Sequence, residues 1–220
     1  KWTVIGALDL GVPLSLIGES VFARMISAMK SERVKAAGRF RGPAAAKIST
    51  DRKTLVDDIR KALYASKIVS YAQGFNLLKK AAAEYGWELN YGEIAMIWRG
   101  GCIIRSAFLN KIFEAYKKNP ALSNLVMDDY FSSILSENSE SWRRVIATAV
   151  TQGIPVPAMS AALSWFDSYR TEWLPANLLQ AQRDYFGAHT YERIDEPEGK
   201  FFHTNWTGRG GDTVSTTYNA

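Results

Sequence analysis

Cysteine and histidine are scarce in this chain, and each scarcity removes a class of function. One Cys in 220 residues, Cys102, rules out an internal disulfide framework and fits a reducing compartment, so a cytoplasmic location is expected. Cys102 lies in the apolar run Gly101-Cys102-Ile103-Ile104 with no base nearby, which reads as a buried, inert thiol. His189 and His203 are the only two histidines, and neither has a Cys or an acid at ligand spacing, so no metal site is expected. No apolar run reaches the roughly 18 residues that a bilayer span needs. A Gly-x-Ser-x-Gly elbow is missing as well.

Glycine-rich phosphate loops fare no better. Gly208-Arg209-Gly210-Gly211 has neither a preceding strand nor a following helix, and Gly100-Gly101 sits between helical segments. No cofactor-binding residue is therefore assigned. The net charge of +5 is mild, and basic clusters go no further than short pairs such as Lys79-Lys80 and Lys117-Lys118. A nucleic-acid partner would call for a dense basic stripe, so solvated helix faces are the better reading.

What the chain does contain is helical periodicity. Leu14, Ile17, Val21, Phe22, Met25, Ile26 and Met29 recur at steps of three and four, which predicts a helix from about Leu14 to Ala37. Gly11-Val12-Pro13 separates it from a shorter opening helix. A loop from Gly38 to Thr50 leads to a long helix marked by Leu55, Ile59, Leu63, Ile68, Ala72, Phe75 and Leu78, stopping near Gly86. Asn90 reads as an N-cap with Glu93 three residues on, opening Ile94 to Trp98. Further helices are expected over Ile103–Tyr116, Asp128–Ser136, Ser141–Gln152, Pro157–Tyr169 and Ala176–Asp184. Strand-like alternation is scarce, so the body over 1–191 is expected to be all-α. Residues 192–220 change character, with charge, Pro197, Gly199 and the aromatic group Phe201, Phe202 and Trp206. Such a tail has too little apolar surface to fold alone, so it is expected to dock on this domain or on a partner subunit.

The densest chemistry lies in Arg183-Asp184-Tyr185-Phe186-Gly187-Ala188-His189-Thr190-Tyr191. An Arg presents a planar fork of donors suited to phosphate or carboxylate, and a His beyond a Gly can turn toward the same ligand. These residues read as an anion-binding corner. Arg24, within an apolar helical pattern, fits a snorkelling surface residue better than a cation in a cleft. Arg99 and Arg105 flank Gly100-Gly101 and are expected to bond helix-terminal carbonyls.

Several long blocks resemble the 6-phosphogluconate dehydrogenase family: Lys1-Trp2-Thr3, Gly11-Val12-Pro13-Leu14, Glu19-Ser20-Val21-Phe22-Ala23-Arg24, and the run from Asn90 to Arg105. The run from Ala181 to Tyr191 and Phe202-His203-Thr204-Asn205-Trp206 resemble it too. The match runs in order from end to end. It implies oxidative decarboxylation of 6-phosphogluconate to ribulose 5-phosphate with reduction of NADP, in the pentose phosphate pathway. It also implies a Rossmann domain ahead of an all-helical, dimer-forming domain whose tail reaches the partner subunit of a homodimer. On this resemblance Arg24 binds the substrate phosphate within its own subunit, whereas Arg183 and His189 serve the other subunit's site. The family signature ends in Lys-Gly-Thr-Gly-x-Trp, and Lys1 stands at the x. The catalytic Lys and Glu and the NADP-binding domain are therefore expected outside this chain, and no residue here is catalytic. Two alternatives remain at this point: a helical dimerisation scaffold without activity, and the matching domain of another β-hydroxyacid dehydrogenase.

Overall fold

The computed structural model describes residues 1–44 and 47–206. The chain divides into two compact units, Lys1–Asp167 and a second from Ser168 onward. That division falls ahead of the Arg183 corner, whereas the change in composition falls after Tyr191.

The first unit is helical. Its opening helix α1 (Trp2–Asp9) leads into α2 (Ser15–Ala28) and α3 (Lys30–Arg39). The single helix expected from Leu14 to Ala37 is thus two, broken at Met29, whose φ of −82° and ψ of 44° leave the helical region. No Pro or Gly signals this break. Side chains satisfy the exposed carbonyls instead: the Ser27 hydroxyl donates to Arg24 O at 2.6 Å, and Arg33 Nη2 donates to Ser27 O at 3.0 Å.

The long helix α4 (Arg52–Tyr85) is the axis of the unit. Asp51 caps its start by accepting from the N–H groups of Lys53 and Thr54. Gly86 ends it at φ 66°, a left-handed position that glycine adopts without a Cβ penalty. Ala65, Ile68, Val69, Ala72 and Phe75 are buried along one face of its middle turns. Gln73, also buried, accepts from Leu16 N at 3.2 Å and donates to Ser15 Oγ at 3.1 Å, so it fastens the first turn of α2 to α4.

Helix α5 (Tyr91–Ile97) starts under an Asn90 cap, whose side chain accepts from Glu93 N at 3.1 Å. Helix α6 (Leu109–Lys118) starts six residues later than the expected Ile103. Ile103 is 99% exposed, so the apolar pattern there does not mark a buried face. Phe108, at 3% exposure, anchors the real start. A 3₁₀ turn at Leu125–Met127 precedes α7 (Asp129–Thr151), which unites the two helices expected over Asp128–Ser136 and Ser141–Gln152. Helix α8 spans Pro157–Tyr169, as its pattern predicts. Helices α4 and α7 pack along each other around Phe131, Leu135 and Trp142, all three fully buried. A fork from Arg144 to Asp58, with bonds of 2.9 and 2.8 Å, joins the same two helices.

The second unit carries α9 (Asn177–Gly187) and a two-residue antiparallel ladder, β1 (Tyr191–Glu192) with β2 (Phe201–Phe202). The start of the tail is therefore a small hairpin. Arg193 and Lys200 lie over the Phe202 ring at 5.5 and 5.1 Å from its centre. The glycine-rich run Gly208–Gly211, read against a phosphate loop, lies outside the described residues. Among the described residues the elements are helices apart from this short ladder, so the fold is all-α.

Candidate anion-binding corner

Helix α9 ends where the candidate corner begins. Ala188 closes it at φ 48°, and its N–H donates to Asp184 O at 2.9 Å. The reversal carries His189 back over the last turn. Arg183, Phe186, Gly187, His189 and Gln182 then line one open pocket of about 320 Å³. Arg183 and His189, six residues apart in sequence, are thus brought to the same cavity.

Gln180 braces both sides of this corner. Its Oε1 accepts from Arg183 Nη1 at 3.3 Å, while its Nε2 donates to Thr190 O. Gly187 leaves the space that the imidazole occupies: a Cβ there would lie 2.7 Å from His189 Nε2. The corner combines an exposed guanidinium with an imidazole backed by the end of α9. Together they suit a phosphate or carboxylate ligand.

Asp184 is the residue that the sequence reading overlooked. It is fully buried, the only buried residue of α9, and its carboxylate accepts from Thr190 N, His203 Nδ1, Thr204 N and Trp206 Nε1. Burial pushes its pKa up, but the bonds from Thr204, His203 and Trp206 outweigh this and hold it below the usual carboxylate value. No local signal identifies such a residue, because most of its donors come from beyond the hairpin.

Arg24 belongs to the first unit and is exposed on α2. Its neighbour Ala23 helps to line a cavity of about 730 Å³ with Leu16, Ser20, Lys67 and Met159. Arg99 does not bond a helix-terminal carbonyl; it donates to the Asn110 side chain at 3.1 Å, linking the end of α5 to α6. Cys102 is half-buried rather than buried. Among the described residues, no group of three His, Cys, Asp or Glu could hold a metal ion, and no helix is long and apolar enough to cross a membrane.

Comparison with known proteins agrees with the blocks that carry the resemblance. The family model for the 6-phosphogluconate dehydrogenase C-terminal domain matches residues 1–206. The chain is 59% identical to the decarboxylating 6-phosphogluconate dehydrogenase of Mus musculus over 220 residues, all of this chain and 45% of the mouse protein. It is 57% identical to that of Sus scrofa, covering 87% of the pig sequence. Among solved structures, the Plasmodium falciparum 6-phosphogluconate dehydrogenase, described in its apo form and in complexes with NADP+ and with 6-phosphogluconate, aligns with a TM-score of 0.87 at 43% identity. That alignment covers 93% of this chain and 44% of the other. The chain spans about half the length of most of the curated relatives it matches.

Proposed function

The chain belongs to the 6-phosphogluconate dehydrogenase family as its C-terminal domain, and we propose that it supplies the substrate clamp and the dimer interface of an enzyme that oxidatively decarboxylates 6-phosphogluconate. In that reaction a hydride passes from C3 of the sugar acid to NADP while a base takes the hydroxyl proton. The 3-keto acid then loses carbon dioxide, and an acid protonates the enediol. The base, the acid and most NADP contacts belong outside this chain. Arg183 and His189 come from one subunit and Arg24 from the other. Together they hold the phosphate end of the substrate, so that remote binding energy orients the reacting carbons.

The convergence of Arg183 and His189 on one cavity carries this reading. The dimer is supported by two apolar stripes left facing solvent. Phe22, Met25 and Ile26 form one along α2, and Val56, Ile59 and Leu63 form the other at the start of α4. Both follow the three- and four-residue steps of a helix face prepared for a partner helix. A helical dimerisation scaffold without activity would explain the stripes but not the Arg–His corner.

The test is ligand discrimination in the intact enzyme. Arg24→Ala and Arg183→Ala should each weaken 6-phosphogluconate binding about ten- to hundred-fold, the equivalent of losing a charge-assisted bond, with NADP affinity retained. Equal losses for both ligands would overturn the assignment.

A further inference from the structure

We propose that Asp184 is the positioning residue of the Arg183–His189 corner, one buried carboxylate that fixes the loop carrying His189 and ties the segment 203–206 to the end of α9. The proposal rests on the reading of that corner as a substrate clamp. Asp184 follows Arg183 in the chain but occupies the opposite environment: Arg183 is exposed, whereas Asp184 has no exposed surface. A lone carboxylate buried on an otherwise exposed helix is unfavourable unless its acceptor sites are filled. Here they are filled symmetrically. Oδ1 accepts from Thr190 N at 3.0 Å and His203 Nδ1 at 2.9 Å; Oδ2 accepts from Thr204 N at 3.0 Å and Trp206 Nε1 at 2.8 Å.

His189 sits between two residues that Asp184 holds. The main-chain oxygen of Asp184 takes the N–H of Ala188, and its side chain takes the N–H of Thr190. Both flanking residues lie in the left-handed region, at φ 48° and 54°, which non-glycine residues adopt only when their surroundings impose it. Asp184 provides that constraint. Its second oxygen draws in Thr204 and Trp206, and Thr204 in turn bonds Tyr191 OH at 2.6 Å, closing the base of the hairpin. The imidazole is therefore placed by a residue that does not line the pocket.

An Asp184→Asn substitution keeps the shape but turns one oxygen into an N–H donor facing two other donors, so one of the two pairs must break. In the intact enzyme this variant should raise KM for 6-phosphogluconate about tenfold through loss of one buried bonded pair, with KM for NADP unchanged. Trp206→Phe retains a ring, removes a single bond to Oδ2, and should move the same KM about threefold. It decides the question if the Asn variant does not fold. Arg183→Ala serves as the reference. If Arg183→Ala raises the substrate KM while Asp184→Asn and Trp206→Phe leave it at the wild-type value, the positioning role is wrong and the clamp stands. If Asp184→Asn raises both KM values alike, its role is general stability and the inference fails. If Arg183→Ala itself has no effect on substrate KM, the clamp reading fails and the inference with it.

Discussion

A methyl group on Gly187 would sit 2.7 Å from His189 Nε2 and 2.8 Å from Cδ2 of the same ring. The three nearest side-chain atoms all belong to that ring, so the imidazole fills the space beside the last turn of α9. Gly187 is in an ordinary helical conformation, so a left-handed φ does not account for the glycine.

Gly187→Ala should therefore leave the fold intact and push the His189 ring out of the corner. Alanine favours helix by about 1 kcal/mol over glycine, so thermal stability should hold or rise slightly. Substrate affinity should fall by roughly tenfold, the cost of one misplaced polar contact. Thermal unfolding and substrate titration of the same variant separate the two effects. Unchanged substrate affinity would show that His189 does not need its present place.

Sharing of the clamp between subunits predicts complementation. A heterodimer of one Arg24→Ala subunit and one Arg183→Ala subunit has one site lacking both arginines and one site keeping both. Activity at low substrate should return toward half of the wild-type value. Each homodimer should remain weak. Verified heterodimers with no recovery would place Arg24 and Arg183 in a single subunit's site.

The Asp58–Arg144 fork governs acid stability of the first unit. Hydrogen bonds from Arg144 and Ser141 outweigh burial and bring the Asp58 pKa down to about 2 from the ordinary 3.8. A depressed carboxylate pKa stabilises the fold above the unfolded-state value, and that contribution disappears as pH falls through the folded-state value. The difference is worth at most about 2.5 kcal/mol. Water at the half-exposed Arg144 side chain reduces it to roughly 1 kcal/mol. Urea unfolding of the wild type and Asp58→Asn should differ by that amount at neutral pH, and the gap should close between about pH 5 and pH 2.

Features that depend on neighbours along the chain are legible in the residues themselves. The cap at Asn90, the stop at Gly86 and the span Pro157–Tyr169 all follow from residues within one or two turns. So did the pairing of Arg183 with His189, because six residues and a helix end separate them. The break at Met29 and the late start of α6 could not be read that way. There apolar periodicity continues through residues such as Ile103 and Ile26 that the first unit leaves exposed. Only the tertiary structure revealed Asp184 as the centre of the corner, since His203 and Trp206 stand 19 and 22 residues away from it. A buried charge is tolerated where its donors assemble in space, and no local pattern encodes that assembly.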